Sequence, residues 1–229
     1  MSLTKNLLAA GAVLAAGAVL LVCTKAPPAK PPLLVLDGLE IRHEDLAPYV
    51  AFLDSFLPEG GPRTKIMRVL EEHVIPLRLA QRTFAKERAA MLESALALRS
   101  VASNVEELAS QSSLMKNQRR ANLNRTHALM PVAMFVFDPL AIGAVSDPIE
   151  LPHGWFVVGA YELKESPGQL LDDYVDALQV GFVTHTSGDW NDWYEAQKAV
   201  LADKATFIDP DYATAIPPWI RPPKTQSKS

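Results

Sequence analysis

Apolar positions along this chain change period several times, and each change marks an element. Leu33–Leu36 and Leu39–Ile41 are short apolar runs on either side of Asp37-Gly38, a dipeptide that readily supplies positive φ in a tight turn, so a β-hairpin is predicted. From His43 the period lengthens. Leu46, Tyr49, Val50, Leu53 and Phe56 or Leu57 recur at three- and four-residue spacing, with Glu44 and Asp45 suited to a helix N-terminus, and Pro58-Glu-Gly-Gly-Pro62 ends the helix. A second stripe follows from Arg63: Ile66, Val69, Leu70, Leu77, Ala80 and Phe84, interrupted by His73. Pro76 lacks a donor and clashes with the carbonyl of Glu72, which predicts a kink, or a break followed by a third helix to about Ser100. Ser103-Asn104-Val105-Glu106 reads as a capping box that opens a short helix at Asn104.

The second half is more broken. Asn117 to Thr126 is polar and reads as a loop, and Pro131–Ile142 is apolar with a turn at Asp138-Pro139. Ile149–Leu151 and Trp155–Tyr161 read as strands joined by Pro152-His153-Gly154. Helices are predicted at 169–179 and 189–202, then a β-like stretch at 205–208 and a Pro-rich tail; there is no internal repeat. The fold class is α+β.

Leu7 to Cys23 is a 17-residue run without a charge, preceded by Lys5 and followed by Lys25. At ~1.5 Å per residue it reaches roughly 25 Å, short for a membrane span and long for a signal-peptide core. It lacks a small-x-small cleavage site in register, and branched Val22 precedes Cys23. An uncleaved signal anchor with its N-terminus inside is therefore expected ahead of a cleaved or a lipidated leader. Four prolines within 26–32 make a semi-rigid spacer of about 20 Å.

Residues 26–229 hold 20 Lys plus Arg against 26 Asp plus Glu, which argues against a nucleic-acid partner. No cysteine follows Cys23, so no internal disulfide can staple this part. Charge is unevenly placed: 63–125 carries 12 basic and 6 acidic residues, 126–220 carries 3 and 14. Either both sets are solvated faces, or the acidic part folds back over the basic helices.

Chemistry-bearing motifs are sparse. Gly-x-Ser-x-Gly, His-Glu-x-x-His and a phosphate-cradling Gly-Lys loop are all missing, and there is no usable thiol. His43-Glu44-Asp45 suits capping, because consecutive helical residues cannot share one ion. Asp172, Asp173, Asp176, Asp189, Asp192 and Glu195 form no calcium loop and read as solvated helix faces. His73 reads as a partly buried, hydrogen-bonded histidine and His185 as a loop residue. Trp190, Trp193, Tyr194 and Trp219 are either packing anchors or the wall of a peptide groove.

Three stretches resemble the parvulin-containing folding factors of the bacterial envelope, the SurA and PpiD type. The leader, the hairpin around LDGLEI, the HEDL helix start and KIMRVLEEHVIPLRLAQ are similar to that family's N-terminal chaperone region. NVEELASQS resembles a parvulin helix. GAVSDPIELPHGWFVVGAYE resembles the segment closing a parvulin domain, a Gly-x-Val-Ser-x-Pro turn leading to a Gly-aromatic strand. WYEAQKAVLADKATFID is a weaker match to the helix and strand that return to complete the N-terminal module.

The resemblance implies an α+β fold made of a mainly helical, SurA-N-like module with a shortened parvulin-like insert containing a β-hairpin. Its parts would be a leader at 1–25, a spacer at 26–32, helical chaperone-like and parvulin-like regions at 33–102 and 103–165, C-terminal helices and strand at 166–216, and a disordered tail at 217–229. It also implies a membrane-tethered binder of unfolded or translocating polypeptides, anchored through residues 7–23 in the inner membrane and facing the periplasm. No cofactor and no metal are implied.

Met134, Phe135, Phe137, Leu151, Trp155 and Phe156 would contact the bound chain. The family's paired histidines are not matched: Phe156 stands at the second, His127-Ala128-Leu129 lies only 16 residues before Gly143, and Leu151 and His153 replace a threonine and a serine. Little isomerase activity is therefore expected. The alternatives are an active prolyl isomerase with His153 as substitute catalytic group, or a structural subunit of an envelope complex.

Overall fold

Asp37 and Gly38 both adopt positive φ, 50° and 78°, and this turn sets Leu36 opposite Leu39 between β1 (Leu34–Leu36) and β2 (Leu39–Ile41). The computed structural model describes residues 31–223. On its other edge β1 takes β7 (Ala205–Ile208), from the far end of the chain, giving an antiparallel sheet of order β2-β1-β7. Leu34, Leu36 and Ile41 are buried beneath α1 (His43–Phe56) and its neighbours in one core. Asp45 caps α1 by accepting the Arg42 backbone N–H at 2.8 Å.

Pro76 produces neither a sharp kink nor a simple break. α2 (Pro62–Val69) runs into a five-residue π turn, Leu70–Val74, and then α3 (Ile75–Thr83), with the Ile75 N–H donating to the Leu70 carbonyl. The wider turn moves the ladder off the register in which the Pro76 ring would strike the Glu72 carbonyl. The break comes later, at Phe84, before α4 (Ala85–Ser100). α5 (Val105–Ser112) is capped one step beyond the predicted box: Asn104 Oδ1 accepts from the Glu107 N–H at 2.9 Å, and the Glu107 carboxylate accepts the Ser103 N–H at 2.8 Å.

The second sheet corrects two expectations. Residues 118–124, read as loop, form β3 (Gln118–Asn124), and the helix predicted at 169–179 is replaced by a loop and β6 (Tyr174–Val183). With β4 (Ile149–Leu151) and β5 (Gly154–Lys164) they make an antiparallel sheet of order β3-β6-β5-β4. β3 is polar because it is an edge strand. β6 is covered on both faces, so Val175, Ala177, Leu178 and Val180 are all buried and the period-two signal is lost. Its acids are not a helix face: Arg120 grips Asp176 across the sheet, and Asp173 is buried beside Arg125. Other pairs also join the basic stretch to the acidic one, Arg88 to Glu150 and Arg99 to Asp147.

α4 and α5 close one face of this sheet over Val157, Leu178 and Val180; Gly159 lies so close that a Cβ there would stand 2.6 Å from Val105 Cγ2. α6 (Met130–Val136) covers part of the other face, over Val158, Ala160, Val175 and Ala177. α7 (Ser187–Leu201) packs into the first core, and Ile216 and Ile220 are buried there too, so the segment read as a disordered tail from 217 is packed as far as Ile220. The architecture is a mixed α+β fold with several helices and two small antiparallel sheets.

The membrane expectation is corrected. Among the described residues no helix is long and apolar enough to cross a membrane. The run 7–23, on which the signal anchor and the inner-membrane, periplasm-facing placement rested, lies outside the described residues. Membrane attachment has no part in the function proposed below.

Candidate functional site

The β4–β5 turn carries His153 and is held from two sides. Gly154 is required by close approach, since a Cβ there would lie 2.0 Å from the Phe182 carbonyl oxygen. Buried Arg88, reaching from α4, donates to the carbonyls of Pro152 at 2.8 Å and Leu151 at 2.9 Å and to the Glu150 carboxylate at 2.8 Å. Gln81 donates to the other Glu150 oxygen at 3.0 Å. The His153 carbonyl accepts from the Thr184 N–H at 3.0 Å. The backbone beneath the imidazole is therefore fixed by hydrogen bonds from α4 and from the segment after β6.

The His153 ring meets Phe156 edge-on at 5.1 Å and Trp190 of α7 at 6.2 Å. Burial, aided by the Arg88 cation, lowers its pKa to about 4, so it is neutral at pH 7. Phe156 lies over Gly181, where a Cβ would come within 2.8 Å of its ring. On α7, Trp190 and Tyr194, four residues apart and so on one face, stack at 6.3 Å.

The π turn adjoins α7 along the cleft. The Glu71 carbonyl accepts from the Tyr194 hydroxyl at 3.2 Å, and burial raises the pKa of that phenol. His73 is 2% exposed, packs edge-on against Tyr49 at 4.4 Å, and has a buried Nε2 without a hydrogen-bond partner among the described residues. Burial lowers its pKa to about 4, with Glu150 opposing. Asn124 Oδ1 accepts the His127 N–H at 2.8 Å and Arg68 donates to the Thr126 carbonyl at 2.8 Å, which ties down the loop after β3.

Together these elements enclose an open cleft of about 840 Å³, floored by Phe156 and Gln179 of the sheet and bordered by the start of β3. Its volume lies within the ~300–1,000 Å³ typical of ligand clefts. The apolar contributions come from Phe156, Trp190, Tyr194, Leu129, Met130 and Pro76.

Of the residues expected to contact a bound chain, Phe156 lines this cleft together with His153. Leu151 is wholly buried beneath it, and Phe137 is buried under the Arg125 guanidinium, 4.3 Å from its ring centre. Phe135 packs half-buried against the same core, and Met134 is half-buried on α6. Trp155 points to the opposite face, against the α4–α5 core, because neighbouring strand residues face opposite ways. Sequence reasoning missed His73, Leu129 and Arg119 as cleft residues. Trp190 and Tyr194 had one signal, aromatic residues at helical spacing, and His73 had another, a polar break in an apolar stripe.

The arrangement offers aromatic surface, the neutral His153 imidazole and a charged rim of Arg68, Glu71, Glu72, Lys116 and Arg119. Among the described residues no group of His, Cys, Asp and Glu could hold a metal ion. In comparisons with known proteins, no family model, no curated protein and no solved structure matches this chain.

Proposed function

We propose that the protein is a folding factor that binds unfolded, proline-containing polypeptide segments in this cleft without accelerating their isomerisation, in the manner of the SurA and PpiD chaperones its sequence resembles. The cleft itself carries the reading: an open site of about 840 Å³ whose aromatic floor and wall, Phe156, Trp190 and Tyr194, suit apolar and prolyl side chains of no fixed sequence. The neutral His153 matches a peptide ligand, which brings amide donors and acceptors and no net charge at its backbone.

The non-catalytic part rests on Phe156. Prolyl isomerisation has a barrier of about 18–20 kcal/mol, lowered by oriented polar groups around a twisted amide. Where the resemblance places a histidine, this site has a hydrocarbon ring. Two assays on the full chain test the reading. At equimolar ratio it suppresses aggregation of a denatured outer-membrane protein, and Phe156→Ala weakens that suppression; failure to suppress removes the chaperone reading. In proline-limited refolding it gives no acceleration. Acceleration abolished by His153→Ala would establish the isomerase instead.

A further inference from the structure

The cleft does not end at Phe156 and Trp190. Lys116, Asn117, Gln118 and Arg119, where β3 begins, form its border, and among the described residues β3 is an edge strand with β6 as its single strand neighbour. The Gly181 N–H donates to the Asn117 carbonyl at 3.0 Å, which fixes the pairing phase. Arg119, Ala121 and Leu123 then bond across to Gln179, Ala177 and Val175. Alternation turns the backbone N–H and C=O of Arg120 and Asn122 to the open edge, and both residues are exposed. The Gln118 N–H is already used, by the Met115 carbonyl at 3.3 Å, so the free edge begins at Arg120.

Two further features define what fits this edge. Lys116 and Arg119 are exposed, and among the described residues neither has an ion-pair partner, whereas Arg120 is held by Asp176 and Arg125 by Asp173. Leu114 is 97% exposed and Met115 38%, an apolar pair directly before the basic one. A strand that carries Arg119 and is preceded by Lys116, both uncompensated among the described residues, disfavours pairing with a second copy of itself.

We infer that β3 is a strand-addition template for an extended acidic polypeptide segment, whose backbone pairs with Arg120 and Asn122 while its acidic side chains meet Lys116 and Arg119 and one end of it enters the cleft. This deepens the peptide-binding reading and rests on it: the cleft takes a side chain, and the edge takes the backbone. The client class is an extended segment in which apolar residues alternate with Asp or Glu.

The test uses the full chain and a fluorescein-labelled decapeptide of alternating valine and glutamate, read by fluorescence anisotropy. The glutamate peptide binds about tenfold more tightly than its lysine counterpart, and Lys116→Glu with Arg119→Glu reverses the order. N-methylation of alternate peptide amides, which removes backbone donors and leaves side chains intact, lowers affinity about tenfold or more. Asn122→Pro, which deletes an outward donor and no bond to β6, does the same at an unchanged melting temperature. Unaltered affinity of the N-methylated peptide overturns strand addition, and so does absence of any binding by the glutamate peptide. Aggregation suppression that still depends on Phe156 in either case leaves the cleft reading standing, so the two failures are separable.

Discussion

The two faces of the four-stranded sheet share a backbone but not a fate. Toward α4 and α5, Val157, Leu178 and Val180 meet Leu98 and Leu108 in a closed core, and Gly159 lets the helix side chains approach to contact distance. Toward α6, the same strands are covered only beyond Val158; at Phe156 and Gln179 the covering stops and the cleft begins. Complete burial on one side secures a strand order that leaves the other side partly open. Stability should therefore be concentrated on the closed face and binding on the open one.

Arg88 belongs to both, since it leaves α4 to hold the turn that carries His153. Arg88→Leu strips donors from the Pro152 and Leu151 carbonyls and from Glu150, and should cost about 3–5 kcal/mol in denaturant unfolding and weaken peptide binding as well. A loss confined to one of the two readouts would break the link. Leu108→Ala, wholly within the closed face, should cost about 3 kcal/mol with peptide affinity unchanged once folded protein is measured. Acidification comes next. The folded pKa of His73 is depressed to about 4 from the ordinary histidine value of 6.5, so the stability due to keeping it neutral is complete above pH 6.5 and is lost as pH falls toward 4. Between pH 7 and 5 this amounts to about 2 kcal/mol for His73, with a comparable fall from His153, whose pKa burial also lowers to about 4, so His73→Leu should remove about half of the slope there; an unchanged slope would refute the assignment. The smallest effect on stability, about 1 kcal/mol, is expected for half-buried Phe156→Ala, which should nevertheless lower peptide affinity about tenfold. A large loss of stability with intact binding would reverse the roles of the two faces.

Legibility in the sequence followed the number of neighbours an element needs. The Asp37-Gly38 hairpin, the stripe of α1 and the turn at Pro152-His153-Gly154 depend on nearby residues and could be read directly. β6 could not, because burial on both faces removes alternation, and the aspartates at 172 and 173 before it and at 176 within it imitate the spacing of a polar helix face. β3 was hidden for the opposite reason, since an edge strand can be almost entirely polar. Trp155 and Phe156 were both expected to touch a ligand. The pleat sends one into the closed core and the other into the cleft, and only the identity of the covering helices says which.

By itself the sequence determined the α+β class, the tight turns, the helix over 43–56 and the aromatic pair at Trp190 and Tyr194, because turn chemistry and periodicity are local. Tertiary structure decided that β6 would enter the sheet between β3 and β5, and that the π turn before Pro76 would meet α7 at the rim of a cleft, whereas the return of β7 to the N-terminal hairpin was expected from the family resemblance. Those outcomes depend on which buried surfaces find each other, and such pairings span 56 residues for Arg120 and Asp176 and 123 for Tyr194 and Glu71. No local pattern encodes them.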